Sequence, residues 1–268
     1  MMPCFHIPLI ITITLFGGNQ EPKSNNLDAV LWVKTSGEYA ISMRQVYLSA
    51  REKLDGALAD PQWTAALEQT KPYAQLPPAI VFDVDETLLS NMPFQERFIK
   101  KGGPFSPAMW DTWVSEAQAE ALPGALAFVR YAQERGVTIL YITNRTCEPR
   151  QGSEEPCPQK QDTLANLKKR GFPVTPERLA LKKEKPDWGS EKTSRRAHFA
   201  KNYRIVMFMG DDMGDFVSGA KGQGVTPKMR RDLAEKHKDY WGNKWFLLPN
   251  PMYGSWDRAI ADKWEALD

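Results

Sequence analysis

Apolar residues in this chain fall into two spacings. Three short continuous runs, Ala79-Ile80-Val81-Phe82, Val137-Thr138-Ile139-Leu140-Tyr141-Ile142 and Ile205-Val206-Met207-Phe208-Met209, have the length and β-branched content of buried strands. Tyr39, Ile41, Met43, Val46, Tyr47, Leu54 and Leu58 instead recur at helical spacing and predict one long amphipathic helix over 36–59. Residues 93–123 read as helical with turns, Ser106-Pro107 supplying an N-cap and a first-turn proline, and Leu122-Pro123-Gly124 a break. A further helix is predicted over 161–170, a short strand over 178–181 and a last strand over 245–248. Strands alternating with helices in this way predict an α/β fold, a doubly wound parallel sheet covered on both faces. Residues 36–75 and 92–122 are expected to form a smaller helical lobe over the carboxyl ends of the strands. No internal repeat interrupts the pattern.

Each long run ends in polar residues that are costly to place there. Asp83-Val84-Asp85-Glu86-Thr87 follows the first, and carboxylates this close repel and lose solvation unless a cation or a catalytic duty holds them. Thr143-Asn144-Arg145 follows the second, a hydroxyl succeeded by backbone N–H groups that suit phosphate oxygens. Gly210-Asp211-Asp212-Met213-Gly214-Asp215 follows the third and offers oxygen ligands for a hard cation. A helix cap or an acidic turn would account for any one of these alone. Recurrence at three strand ends argues for a shared site, because open parallel sheets bind ligands at their carboxyl edge. Lys192, in Ser190-Glu191-Lys192-Thr193-Ser194-Arg195, offers a cation, though a lone lysine more often faces solvent.

This ordered set resembles the haloacid dehalogenase (HAD) superfamily of phosphotransferases. Phe82 through Asn91, Ile142-Thr143-Asn144-Arg145, Leu181-Lys182-Lys183-Glu184-Lys185, Met209-Gly210-Asp211-Asp212 and Leu248-Pro249-Asn250-Pro251-Met252-Tyr253-Gly254-Ser255-Trp256 are similar to the class C acid phosphatases, bacterial secreted or lipoprotein enzymes. The resemblance runs from about Ser36 to Trp256 in the family's motif order. It implies that Asp83 attacks phosphorus and that Asp85 serves as general acid, then base. Thr143 and Lys192 would neutralise the phosphoryl oxygens, with Asn144 beside them at the substrate. Lys185 competes for the lysine role, and the spacing Ser190-x-Lys192-x-x-Arg195 favours Lys192. A Mg²⁺ held by Asp83, the backbone carbonyl of Asp85 and Asp211, with Asp215 reaching it through water, would shield the anionic ester. Tyr253 is expected to stack on a nucleobase, with Phe94 as the opposing face. The expected substrates are nucleoside 5'-monophosphates. Sugar or other small phosphomonoesters are the alternative within the class, and a non-catalytic binding or storage protein is the alternative outside it.

Composition agrees with a globular enzyme. The chain has 268 residues, 42% hydrophobic and 25% charged, enough for one good core and a small accessory lobe. A formal charge of +2 and a pI near 8.3 are too mild to imply a nucleic-acid polymer as partner, and a homodimer is compatible with them. His6, His198 and His237 are scattered and suggest no zinc site, and Trp110 and Trp113 share a helix face as core residues would.

The terminus and the cysteines speak to location. Residues 5–16 are almost wholly apolar and are followed by Gly17-Gly18, so 1–18 reads as a signal peptide and 19–35 as a linker before a domain over 36–268. Asn19 stands where a lipidated Cys would be needed, so membrane anchoring is not expected and a periplasmic or secreted form is. Cys147 and Cys157 flank a polar, turn-rich loop and form the even pair left once Cys4 departs with the signal. A disulfide there fits an oxidising compartment and is worth on the order of 3 kcal/mol by loop length.

Overall fold

The computed structural model describes residues 26–70, 72–261 and 263. The expected signal peptide over 1–18 lies outside them. Five parallel strands make the central sheet: β1 (Pro78–Phe82), β4 (Thr138–Thr146), β5 (Leu179–Lys182), β6 (Arg204–Gly210) and β7 (Trp245–Leu247), in the spatial order β5-β4-β1-β6-β7. The chain builds outward from β1 on one side, then crosses to build outward on the other. That reversal opens a crevice beside the carboxyl end of β1. Two short strands, β2 (Leu89–Ser90) and β3 (Glu120–Ala121), pair antiparallel just above it.

Strand periodicity sorts the apolar residues into two cores. Ile80, Phe82, Ile139, Tyr141, Met207 and Met209 face one side, and Ala79, Val81, Leu140, Ile142, Ile205 and Phe208 face the other. Ala79 pairs with Ile205 and Ile80 with Met207, so Val206 is an inserted residue that shifts the register. The first core is covered by helix α2 (Gly37–Ala59), α5 (Ala125–Glu134) and α6 (Pro158–Lys169), the second by α7 (Thr193–Ala200) and irregular chain around Ala65 and Phe216. Burial of each such side chain contributes roughly 1.5–3 kcal/mol.

Two sequence expectations change here. Residues 27–35 of the expected linker are helix α1 (Leu27–Thr35), which packs on α3 (Met92–Lys101) and α2 through Val30 and Val33. A nine-residue helix has little intrinsic stability, so its formation depends on tertiary packing that the local pattern does not reveal. The long helix also has a different task. α2 forms as expected, capped by the Ser36 hydroxyl accepting from the Tyr39 N–H, but it lies on the sheet and on α5 rather than in the lobe. Its face Tyr39, Met43, Tyr47, Ala50 and Leu54 is buried, while Ile41, expected on that face, is exposed. The lobe is therefore made by α1, α3 and α4 (Pro107–Glu116).

The lobe is fastened to the body. Arg150 donates to Asp111 on α4 at 2.7 Å and to Asp162 on α6 at 2.8 Å. It sits in the loop closed by a Cys147–Cys157 disulfide, whose Cα atoms are 4.8 Å apart. Among the described residues, no helix is long and apolar enough to cross a membrane.

Candidate active site

Parallel register brings the three polar strand ends together. Phe82 lies beside Tyr141 on β4 and Met209 on β6, so Asp83, Thr143 and Asp211 emerge on one edge, and the Asp83 N–H donates to the Met209 carbonyl at 2.9 Å. Asp83, Asp211 and Asp215 each place one carboxylate oxygen within 4.8 Å of the other two. Gly210 is needed for that approach. A Cβ there would stand 2.7 Å from the Asp215 Cβ, closer than real side chains tolerate.

One buried lysine answers two of these three acids. The Lys192 ammonium bonds Asp83 and lies 2.7 Å from Asp215. Lys185, the rival, is exposed and rests over the Trp188 ring at 4.6 Å. Burial pushes the Asp83 carboxyl up to about 7, against the pull of Lys192. Burial likewise holds Asp211 well above the usual carboxylate range, with Asp83 and Asp215 adding to it. For Lys192 burial works the other way, yet the neighbouring Asp215 and Asp83 prevail and raise it.

Such a set fits a hard divalent cation. Its three carboxylates exceed the Lys192 ammonium, which pairs with two of them, and Asp211 bonds neutral Thr87 and Asn250 rather than a cation. The Tyr39 hydroxyl, buried and without a hydrogen-bond partner among the described residues, is close enough for Glu86 and Asp211 to raise its pKa further beyond the effect of burial. The Asp85 side chain does not join the cluster.

Asp85 is held elsewhere. Arg145, almost wholly buried, donates to it at 2.8 Å, Thr143 at 3.2 Å and Asn91 at 2.9 Å. Thr143 thus serves Asp85 here, and its oxygen also accepts the Arg145 N–H at 3.0 Å. Asn144 accepts from Arg195 at 2.7 Å, and Arg195 reaches on to the carbonyls of Thr143 and Gly189, locking the β4 end to the turn that presents Lys192. Arg196 holds the acidic loop through the Asp215 carbonyl at 3.1 Å.

The third acid of the β6 loop has a structural task. Asp212 caps the following turn through the Gly214 N–H at 2.8 Å and accepts from Ser255 N and Oγ at 2.6 and 2.7 Å. Burial opposes its ionisation, but these bonds keep its pKa below the ordinary value.

The two aromatic expectations part company. Tyr253 is half-buried at the rim and donates its hydroxyl to Glu86. Phe94 is buried among Phe98, Phe105 and Trp110, its ring 5.1 Å from that of Trp110, so it presents no free face. An aromatic at the start of an amphipathic helix is drawn into the lobe's own core. Trp110, expected in the core, is half-buried and stands 6.0 Å from the Arg145 guanidinium carbon. Arg145, Asn91 and Asn250 carry no role in the sequence reading. Their proximity to Asp85 and Asp211 was the available signal, and it exists only after folding.

Comparison with known proteins follows this geometry. A family profile described as HAD superfamily, subfamily IIIB (acid phosphatase) matches residues 18–256. The crystal structure of the class C acid phosphatase from Bacillus anthracis with tungstate bound is similar at 34% identity and a TM-score of 0.72, over 90% of this chain and 92% of that one. The stem 28 kDa glycoprotein of Glycine max is 30% identical and acid phosphatase 1 of Solanum lycopersicum 28% identical, each over 178 residues and 65% of this chain. The chain spans 58% and 57% of the length of these two curated relatives.

Proposed function

The chain belongs to the acid phosphatases of HAD subfamily IIIB, and from that premise we propose that it hydrolyses phosphomonoesters, nucleoside 5'-monophosphates foremost, through an aspartyl-phosphate on Asp83. The observation that carries this reading is the Asp83 carboxylate, set at a strand end between Lys192 and the acids of the β6 loop. Tungstate is a tetrahedral oxyanion, and its binding by the Bacillus anthracis relative is in keeping with a phosphoryl site.

The chemistry follows from the residues. A carboxylate repels an anionic ester until positive charge intervenes. Asp83, Asp211 and Asp215 would hold a Mg²⁺, which supplies that charge when bound. An Asp83 oxygen then forms the P–O bond while the ester P–O bond breaks. Asp85 gives its proton to the departing alkoxide and takes one from the water that releases phosphate. Lys192, fixed by burial, stabilises the charge spreading over the phosphoryl oxygens. Tyr253 at the rim is the base-stacking surface. Its hydroxyl is engaged by Glu86, so stacking on a base would fall to the ring.

Export to an oxidising compartment belongs to the same proposal, supported by the Cys147–Cys157 bond beside the β4 end. The test is a hydrolysis panel of nucleotides, sugar phosphates and nitrophenyl phosphate, with Mg²⁺ and after chelation. Nucleotides are expected to give the highest kcat/KM and chelation to stop turnover. Turnover unchanged by chelation would sink the metal assignment, and preference for sugar phosphates the nucleotidase one.

A further inference from the structure

Glu86 is the most costly residue of the site loop, and the phosphoryl chemistry does not use it. Its side chain is fully buried and its backbone is left-handed, with φ of 55°. That conformation is strained for an L residue. Among the described residues no cation pairs with its carboxylate. Its donors are neutral: the Asn91 N–H at 2.7 Å, the Asn91 side-chain amide at 2.7 Å and the Tyr253 hydroxyl. A buried carboxyl and a strained backbone at one position, one residue from the expected acid, point to a constraint worth that cost.

Asn91 shows what is constrained. It is fully buried at the N-terminus of α3, and its Nδ2 donates to both Glu86 and Asp85, the latter at 2.9 Å. Its Oδ1 accepts from the Trp113 indole of α4 at 2.7 Å. The amide has one orientation only. Reversed, it would set its oxygen against two carboxylates and its N–H₂ against an indole N–H. Arg145 and Thr143 bind Asp85 from the sheet side, whereas Asn91 is the contact that comes from the lobe.

We propose that Asn91 is a positioning residue for protonation of the leaving group, with Glu86 as the anchor that fixes its amide. Together they set the angle of Asp85, and through Tyr253 they tie that carboxylate to the rim where substrate enters. The inference rests on the acid–base role given above to Asp85.

The test compares Asn91→Ser, Glu86→Gln and Trp113→Phe with Asp85→Asn as reference. Each is assayed with a nucleoside 5'-monophosphate, whose alkoxide needs a proton, and with nitrophenyl phosphate, whose leaving group does not. Asn91→Ser and Glu86→Gln are expected to lower kcat/KM for the nucleotide about tenfold to a hundredfold while kcat/KM for nitrophenyl phosphate changes little, that ratio reporting the first step alone and not the later attack of water, which both substrates share. Trp113→Phe, which keeps the ring bulk but removes the indole donor, should show a smaller loss with the same selectivity. Retained nitrophenyl turnover also reports that a variant has folded, and a variant that does not fold leaves the decision to the other two. Equal losses for both substrates, or none, would overturn the proposal, the second outcome meaning that Arg145 suffices. If Asp85→Asn is itself unselective, the acid–base reading falls and this inference falls with it. If Asp85→Asn is selective and Asn91→Ser is not, this inference alone is lost.

Discussion

The two carboxylates of the Asp83-Val84-Asp85 turn lie two residues apart and are held by different sets of neighbours. Asp83 belongs to the sheet. Its neighbours Lys192, Asp211 and Asp215 come from the ends of parallel elements, and each is placed by strand register or by a buried arginine behind it. Asp85 is met by the lobe as well, through Asn91 and the Trp113 indole behind it. The phosphoryl end is thus built from the part of the fold that the hydrophobic pattern determines most strongly. The leaving-group end is assembled by contacts between a loop, a helix terminus and a C-terminal segment. On the proposed mechanism, chemistry common to all phosphomonoesters would fall to the first, and selection among them to the second.

The largest effect should come from the sheet side. Asp83→Asn is expected to abolish turnover, because an amide neither attacks phosphorus usefully nor binds a cation as an anion. Full activity at saturating Mg²⁺ would break the mechanism outright. Asp85→Asn should cost roughly 10² to 10⁴ in kcat/KM for a nucleotide and much less for nitrophenyl phosphate, since that ratio reports departure of the leaving group and not the later attack of water. Identical losses would make Asp85 a structural residue and erase the distinction between the two ends. Stacking contributes roughly 1–3 kcal/mol per base, so Tyr253→Ala should raise KM for nucleoside monophosphates about tenfold, with little change for a small ester. A shared rise would reduce Tyr253 to a packing residue.

A smaller effect sharpens the comparison through pH. Burial pushes the Glu86 carboxyl from 4.5 to about 7. Between those values the unfolded chain has released this proton and the folded chain still holds it. Stability therefore falls as pH rises through that window, and not below it. The contribution is on the order of 3 kcal/mol by the end of the window. Urea denaturation of chelated protein at pH 4.5 and pH 7 should show wild type losing stability relative to Glu86→Gln. A constant difference between the two would mean that Glu86 ionises normally in its buried site.

Much of the sheet side was legible before folding, for a physical reason. A buried strand needs a continuous apolar run, and polar residues that end such a run fall at the sheet edge, so Asp83, Thr143 and Asp211 could be placed from the pattern. Lys192 could be preferred to Lys185 by spacing, and the structure puts Lys192 on Asp83. The lobe side was not legible in this way. Helix α1 is too short to show a period, and α2 shows one without revealing which partner its apolar face meets. Phe94 could not be told from a rim aromatic, because helical phase alone does not say whether a ring meets solvent or other rings. Asp212 looks like a third ligand in sequence, and only the arrival of Ser255 makes it a clamp. Glu86, Asn91 and Arg145 are ordinary polar residues until the fold brings them to Asp85.

The segment after β7 reaches back over everything that precedes it. Asn250 bonds Asp211 at 2.8 Å, Tyr253 bonds Glu86 and Ser255 bonds Asp212. A nascent chain that has emerged from the ribosome only as far as Leu248 would carry Asp83, Lys192 and every acid of the cluster. It would still lack three of the groups that fasten the acidic turns. Synthesis order then acts as a timing device, since the site is completed only after the segment that follows β7 is available. A protease that cut between Leu248 and Asn250 would run the same clock backwards, dismantling the catalytic edge without touching a catalytic residue.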